Sequence, residues 1–227
     1  MTANGWVFPP AESADEYGIV GVGADLEPET VLAAYSQGLF PMPLEPGGRI
    51  AWWSPDPRAI MPLDMHVSRS LAGSMRKFTF SINRSFRDVM EACADPSRPH
   101  GWIDSQVLGA YTRLHELGWA HSVECWNETG ELVGGVYGVG VGAMFAGESM
   151  FHRETDASKA ALVHLTRTLL RNGVELFDVQ WMTPHLESLG AIDLPRTEYL
   201  SRLRDAVRPD SRSQAGASFH VTNDVND

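Results

Sequence analysis

Cysteine is scarce in this 227-residue chain: only Cys93 and Cys125 occur. Two thiols can build neither a disulfide scaffold nor a zinc cluster. Long apolar runs are missing too. Without a stretch of about 18 apolar residues, no transmembrane helix and no membrane partner are expected. The N-terminal MTANGWVFPPAESADE has no basic segment and no apolar core. It does not read as a signal peptide, and a cytoplasmic location is expected. Positive charge is in short supply, with 18 Lys and Arg against 29 Asp and Glu, a net −11. That balance argues against broad, non-specific nucleic-acid binding, which needs phosphate neutralisation. It leaves room for a local patch, because Arg69, Arg76, Lys77, Arg84 and Arg87 share one short stretch with few acids. On its own, such a stretch is a solvated face. The eight His show no H-E-x-x-H or other ligand spacing, so no metal is predicted. No G-x-S-x-G elbow exists and neither Cys has an evident His partner, which argues against a covalent acyl-enzyme.

What is present reads as a folded protein. Hydrophobic residues make up 43% of the chain and seven are Trp, which excludes disorder as the main state. Residues 1–63 read as a small N-terminal lobe. Pro28, Val31, Leu32, Tyr35 and Gly38 mark one helix in it. The following GLFPMPLEPGGRIAWWSPDPRA has five prolines and reads as a shaped loop. Residues 64–207 read as a second, larger domain. FTFSI alternates as a strand, and Phe86, Val89, Met90 and Cys93 follow helical spacing after Ser85. A helix runs from about Asp104 to Gly118. HSVECW, LVGGVYGV and AMFAGESMF read as strands. Asp156 opens a helix with the stripe Ala161, Leu162, Leu165 and Leu169. ELFDVQW is the next strand, and Thr183-Pro184 starts a short helix. Residues 208–227 are polar and read as a disordered tail. The class is α+β, and the order β-α-α-β-β-β-α-β-α is that of the Gcn5-related N-acetyltransferase fold, by analogy.

Such a fold usually cradles a pyrophosphate on glycines and free N–H groups at a helix start. Here the connection SMFHRETDASK has no glycine, and GGVYGVGVG lacks the G-x-G-x-x-G spacing. No coenzyme is therefore expected. In ELFDVQW, strand alternation puts Leu176, Asp178 and Gln180 on one face and Phe177, Val179 and Trp181 on the other. A carboxylate beside an amide on a central strand is either a satisfied buried pair or a catalytic centre. Glu148 is a second isolated acid, and with Asp178 on a neighbouring strand it would make a two-carboxylate site. Trp52, Trp53 and Trp102 either stack on bases or fill a lobe interface. Three readings stay open: acyl transfer without coenzyme A, a coenzyme A-dependent N-acetyltransferase, and a non-catalytic binder of basic N-termini.

Several strings fall together in order: GLFPM, WWSPDPRA, MHVSRSL, GWI, YTRLHELGWAHSVE, LVGGVYGV, GESMF, ASKAAL, FDVQ and HLESLGA. Over about residues 15–203 they closely resemble the leucyl/phenylalanyl-tRNA–protein transferase family. The resemblance implies a small N-terminal lobe before an acetyltransferase-like domain. It implies an enzyme moving Leu or Phe, and less well Met, from aminoacyl-tRNA to proteins with N-terminal Arg or Lys. The product would carry an N-end rule degradation signal. By position, Asp178 and Gln180 match the catalytic D-x-Q, and Glu148 matches the acid of GESMF. Trp102 falls near the adenosine end of the tRNA, with Trp53 as a further substrate contact. Val136, Met150, Leu162, Phe177 and Trp181 match the pocket for the aminoacyl side chain. Arg69, Arg76, Lys77 and Arg84 would contact the tRNA. One departure is Met42, where the family often has Trp.

Overall fold

The computed structural model describes residues 5–95 and 101–208. From residue 209 onward the tail expected to be disordered lies outside the described residues. Along the chain run β1 (Ile19–Val22), α1 (Pro28–Tyr35), β2 (Phe40–Pro43), β3 (Ile50–Trp53) and β4 (Arg58–Ile60). Next come α2 (Arg69–Met75), β5 (Thr79–Ile82), α3 (Phe86–Cys93), α4 (Ser105–Glu116) and β6 (Ala120–Trp126). Then come β7 (Leu132–Val141), β8 (Met144–His152), α5 (Ala157–Arg171) and β9 (Leu176–Gln180). The chain closes with α6 (Pro184–Glu187), β10 (Ile192–Leu194) and α7 (Arg196–Ala206).

The proline-rich stretch expected as a loop is instead three strands. β2 and β3 join β1 in a small sheet of order β1-β3-β2. Pro41 and Pro43 sit in β2, an edge strand, where one side of the backbone needs no ladder donor. β4 lies within the stretch read as the small lobe, yet it pairs with β9 and β10 in the large sheet. That sheet has the order β10-β4-β9-β8-β7-β6-β5, with β8 and β9 parallel and its other neighbours antiparallel. A mixed sheet behind a small N-terminal unit makes the chain α+β.

Apolar periodicity decides which helix covers which face. Val89, Met90, Tyr111, Leu114, Tyr199 and Leu203, from α3, α4 and α7, form one core with Trp52 and Phe40 of the small sheet. On the other face α5 lays Ala161, Leu162, Leu165 and Leu169 against Val123, Val136, Phe145 and Phe177. Asp104 and Thr183 cap their helices, accepting from Val107 N and Leu186 N. Ser85 and Asp156, expected as caps, make no such bond. Asp156 has φ +68°, and its carboxylate accepts instead from Ser74 Oγ at 2.8 Å and Lys159 Nζ at 3.3 Å.

Two irregularities interrupt the ladder of the large sheet. β8 and β9 pair only through Met144, Phe145 and Ala146, opposite Leu176, Phe177 and Asp178. Beyond that point β8 runs on to His152 unpaired with β9, and the carboxyl ends of the two parallel strands splay apart. Such crevices are where open α/β sheets receive ligands. The second irregularity is a bulge. Tyr137 faces Ser149 and Gly138 faces Gly147, so Glu148 has no partner and is pushed out of the ladder. The bulge also reverses the alternation: Met144 and Ala146 belong to the first core, whereas after it Phe151 does and Met150 does not.

Gly138 makes the bulge sterically feasible. A Cβ there would lie 2.1 Å from the Ala146 carbonyl oxygen and 2.5 Å from the Phe145 ring. Gly138→Ala should cost about 3 kcal/mol of stability, at the upper end for overpacking. The check is a urea midpoint with the slope unchanged; a variant as stable as the parent would mean that the two strands separate there without cost.

Candidate active site

Glu148 is held from three sides. Tyr35, the last residue of α1, donates to Oε1 at 2.7 Å, and Gln180 Nε2 donates to the same oxygen at 2.9 Å. Tyr111 of α4 has one proton for either Glu148 Oε2, at 3.2 Å, or the Tyr35 oxygen, at 2.6 Å. Burial raises the Glu148 proton affinity most, and the Asp178 charge adds to it. The tyrosine and glutamine bonds offset only part, leaving the Glu148 pKa at about 7. Burial also pushes the phenols of Tyr35 and Tyr111 well above their ordinary range, so both act as neutral donors.

Asp178 sits in different surroundings. It is fully buried, and Arg58 grips it with Nε to Oδ1 at 2.8 Å and the second guanidinium nitrogen to Oδ2 at 2.6 Å. Tyr199 of α7 donates to Oδ2 at 2.9 Å, and the Gln180 backbone N–H to Oδ1 at 3.0 Å. Each carboxylate oxygen thus accepts two bonds. The charge of Asp178 holds Arg58 above its already high range.

Gln180 joins the two groups. Its φ is +64°, a left-handed value rare for a residue with a side chain. The Trp181 N–H donates to the Val179 carbonyl at 2.9 Å, closing a three-residue turn around it. This turn ends the strand and reverses the alternation expected for ELFDVQW. Trp181 does not continue on the face of Phe177 and Val179 but packs against the opposite core, edge-on to Phe40 at 4.8 Å and Trp53 at 5.6 Å.

Glu148 and Gln180 line a cavity of about 430 Å³ with Phe40, Met42, Trp102 and Trp181. Trp53 stands behind it, its indole N–H donating to the Met42 carbonyl at 3.0 Å. Of the residues expected at the site, Glu148, Gln180, Trp102 and Trp181 therefore meet at one wall. Asp178 lies behind them and does not line the cavity. Val136, Met150, Leu162 and Phe177 assemble on the other face of the sheet, where Val136, Leu162 and Phe177 are almost solvent-free. Arg69, Arg76, Lys77 and Arg84 are exposed on or beside α2 and the β5–α3 turn; Arg84 lies 4.8 Å above the Trp126 ring. Sequence reasoning missed Arg58, Tyr35, Tyr111 and Tyr199. Tyr35 reads as part of the apolar side of its helix, and no signal in the sequence singled out the others; a buried phenol needs a hydrogen-bond partner, and that requirement is what brings the three to the site. Among the described residues, no group of three or more His, Cys, Asp or Glu could hold a metal ion, and no helix is long and apolar enough to cross a membrane.

Comparison with known proteins decides the family. Residues 59–204 match the model described as leucyl/phenylalanyl-tRNA protein transferase, and residues 24–56 match the N-terminal domain of the same family. The chain belongs to the leucyl/phenylalanyl-tRNA protein transferase family. Leucyl/phenylalanyl-tRNA–protein transferase of Nitrosospira multiformis is 48% identical over 94% of each chain. The proteins of that name from Nitratidesulfovibrio vulgaris and Yersinia enterocolitica are 47% and 46% identical. They cover 91% and 89% of this chain, and 90% and 87% of their own length. A solved structure of L-PGS from Bacillus licheniformis is 13% identical, with a TM-score of 0.39 over 71% of this chain and 55% of that one. The transferase family is thus fixed by sequence relatives that span nearly the whole chain.

The Glu148 carboxyl gives the site a pH signature. Its proton affinity is higher in the folded chain than in the unfolded one. Its stabilising contribution is therefore complete below about pH 4.5 and is lost as the pH rises through about 7. Glu148→Gln cannot titrate. Its melting temperature should rise relative to the parent between about pH 5 and pH 8. A difference that stays constant across that range would mean an ordinary carboxyl.

Proposed function

We propose that the chain transfers a leucyl or phenylalanyl group, and less readily a methionyl group, from aminoacyl-tRNA to the α-amine of proteins beginning with Arg or Lys. The acceptor is thereby marked for the N-end rule degradation pathway. Family membership supports the reaction class. The observation that carries the reading at atomic level is the Glu148–Gln180 bond at the wall of an aromatic cavity. The large domain is read as Gcn5-related N-acetyltransferase-like, a reading supported by the run β5-α3-α4-β6-β7-β8-α5-β9-α6.

The donor is an ester and the acceptor an amine. The amine nitrogen attacks the carbonyl carbon, the C–N bond forms, and the C–O bond to the ribose breaks. A proton leaves the nitrogen and ends on the ribose oxygen. An α-amine has a pKa near 8, so a carboxyl near 7 is suited to take that proton and return it. Glu148 fills this role. Asp178, matched by position to the catalytic D-x-Q, acts from behind the wall, where both its oxygens are occupied. Gln180 spends one side-chain N–H on Glu148, and its second is left for the ester oxygen. Trp102 and Trp181 with Phe40 offer aromatic surface for the terminal adenosine, a contact worth about 1–3 kcal/mol per base, and Trp53 supports Trp181 from behind. Arg69, Arg76, Lys77 and Arg84 take phosphates farther along the tRNA. Positioning of this kind can supply roughly 7–11 kcal/mol of the barrier.

The aminoacyl side chain passes through the splay between β8 and β9 to Val136, Met150, Leu162 and Phe177. Unbranched side chains suit such a route, since Val and Ile are stiffer at χ1. The direct test is incubation with phenylalanyl-tRNA and a peptide starting with Arg, read by mass spectrometry. A peptide heavier by one phenylalanyl residue is expected; acetylation from acetyl-coenzyme A instead would replace this reading. Val136→Phe should lower the ratio of phenylalanyl to methionyl transfer at least about tenfold. An unchanged ratio with a lower melting temperature would make Val136 a core residue only.

A further inference from the structure

We propose that Arg58 is a positioning residue for transfer: by fixing the Asp178 carboxylate it holds Gln180 in the backbone geometry that turns its amide onto Glu148. The kinetic consequence rests on the transferase reading above, whereas the positioning itself does not.

A left-handed residue with a full side chain persists only where its surroundings over-determine it. Three contacts hold Gln180: its N–H on Asp178 Oδ1, its side-chain amide on Glu148, and the Trp181 N–H on Val179 that closes the turn. Arg58 controls the first. The same Oδ1 that receives Gln180 N–H also receives Arg58 Nε, and the paired bond to Oδ2 stops the carboxylate from rotating. A planar, two-pronged donor fixes a carboxylate plane in a way a single ammonium cannot. Arg58 is itself anchored. It donates to the Gly38 carbonyl at 3.1 Å, and its guanidinium lies 4.7 Å from the Phe40 ring and 4.5 Å from the Tyr199 ring. The strand register carries the same signature: Ala59 faces Gln180 and Ile60 faces Asp178, with the irregularity between them. Arg58 does not line the cavity, so it acts through Asp178 and Gln180 and not on substrate.

Arg58→Lys keeps the charge and removes the two-pronged grip. With phenylalanyl-adenosine as donor and an Arg-initiated peptide as acceptor, kcat should fall at least about tenfold, with the donor KM within about twofold. Placed in a Gln180→Ala background, the same change should cost less than about twofold, because the group it positions is gone. An equal loss in both backgrounds would overturn the proposal. A second measurement needs no activity. Amide exchange at Gln180 N–H should quicken at least about tenfold in Arg58→Lys. The Met61 N–H, bonded to the Phe177 carbonyl at 2.8 Å, should keep its rate. Quickening at both sites, or at neither, would show a purely structural ion pair. Should Arg58→Lys fail to fold, Tyr199→Phe removes one hydroxyl from Asp178 Oδ2 and should give the same pattern at about threefold. If the unaltered protein does not transfer from phenylalanyl-adenosine, the functional reading fails, and the exchange measurement still decides the positioning.

Discussion

The Arg58 guanidinium meets the Asp178 carboxylate through bonds of 2.8 and 2.6 Å in a place closed to solvent. Both charges have left water, and neither can be kept there alone; breaking such a pair by removing one partner costs about 3–5 kcal/mol. The pair is also where separate parts of the chain converge. Arg58 comes from β4, Asp178 from β9, the Tyr199 hydroxyl from α7, and the Gly38 carbonyl from the turn between α1 and β2. Assembly of the small sheet, the large sheet and the C-terminal helix is therefore bound to satisfying one buried charge. Gly38 itself has φ +82°, a left-handed value that favours glycine, and a Cβ there would lie 2.5 Å from the tip of Leu200, which would have to move.

From that anchor the polar contacts run outward to the cavity. Asp178 takes the Gln180 N–H, Gln180 reaches Glu148, and Glu148 takes Tyr35 and Tyr111. Two carboxylates a few bonds apart end in opposite electrostatic settings. One is neutralised by a guanidinium; the other is left among neutral phenols and an amide, with its proton affinity raised to about 7. Glu148 is thereby placed to exchange a proton near neutral pH.

Much of this was legible in order but not in position. Helical spacing identified α3, α4 and α5, alternation identified β5 to β9, and a strand with two polar residues in an apolar frame pointed to Asp178 and Gln180. Glu148 stood out for the same reason. Prolines misled in the stretch after Gly38, because a strand at a sheet edge tolerates a residue without an N–H. Alternation misled at Trp181, because a turn around one left-handed residue reverses the face of everything after it.

The sequence by itself determined the family, the α+β class and the residue types that meet at the cavity, since periodicity and motif spacing are properties of neighbours in the chain. Only the tertiary structure decided what those residues do. The bond from Gln180 to Glu148 and the Arg58 partner of Asp178 each depend on a contact more than 30 residues away in the chain. No local pattern encodes whether a carboxylate will face a guanidinium or a phenol. That is settled when strands distant in sequence pair.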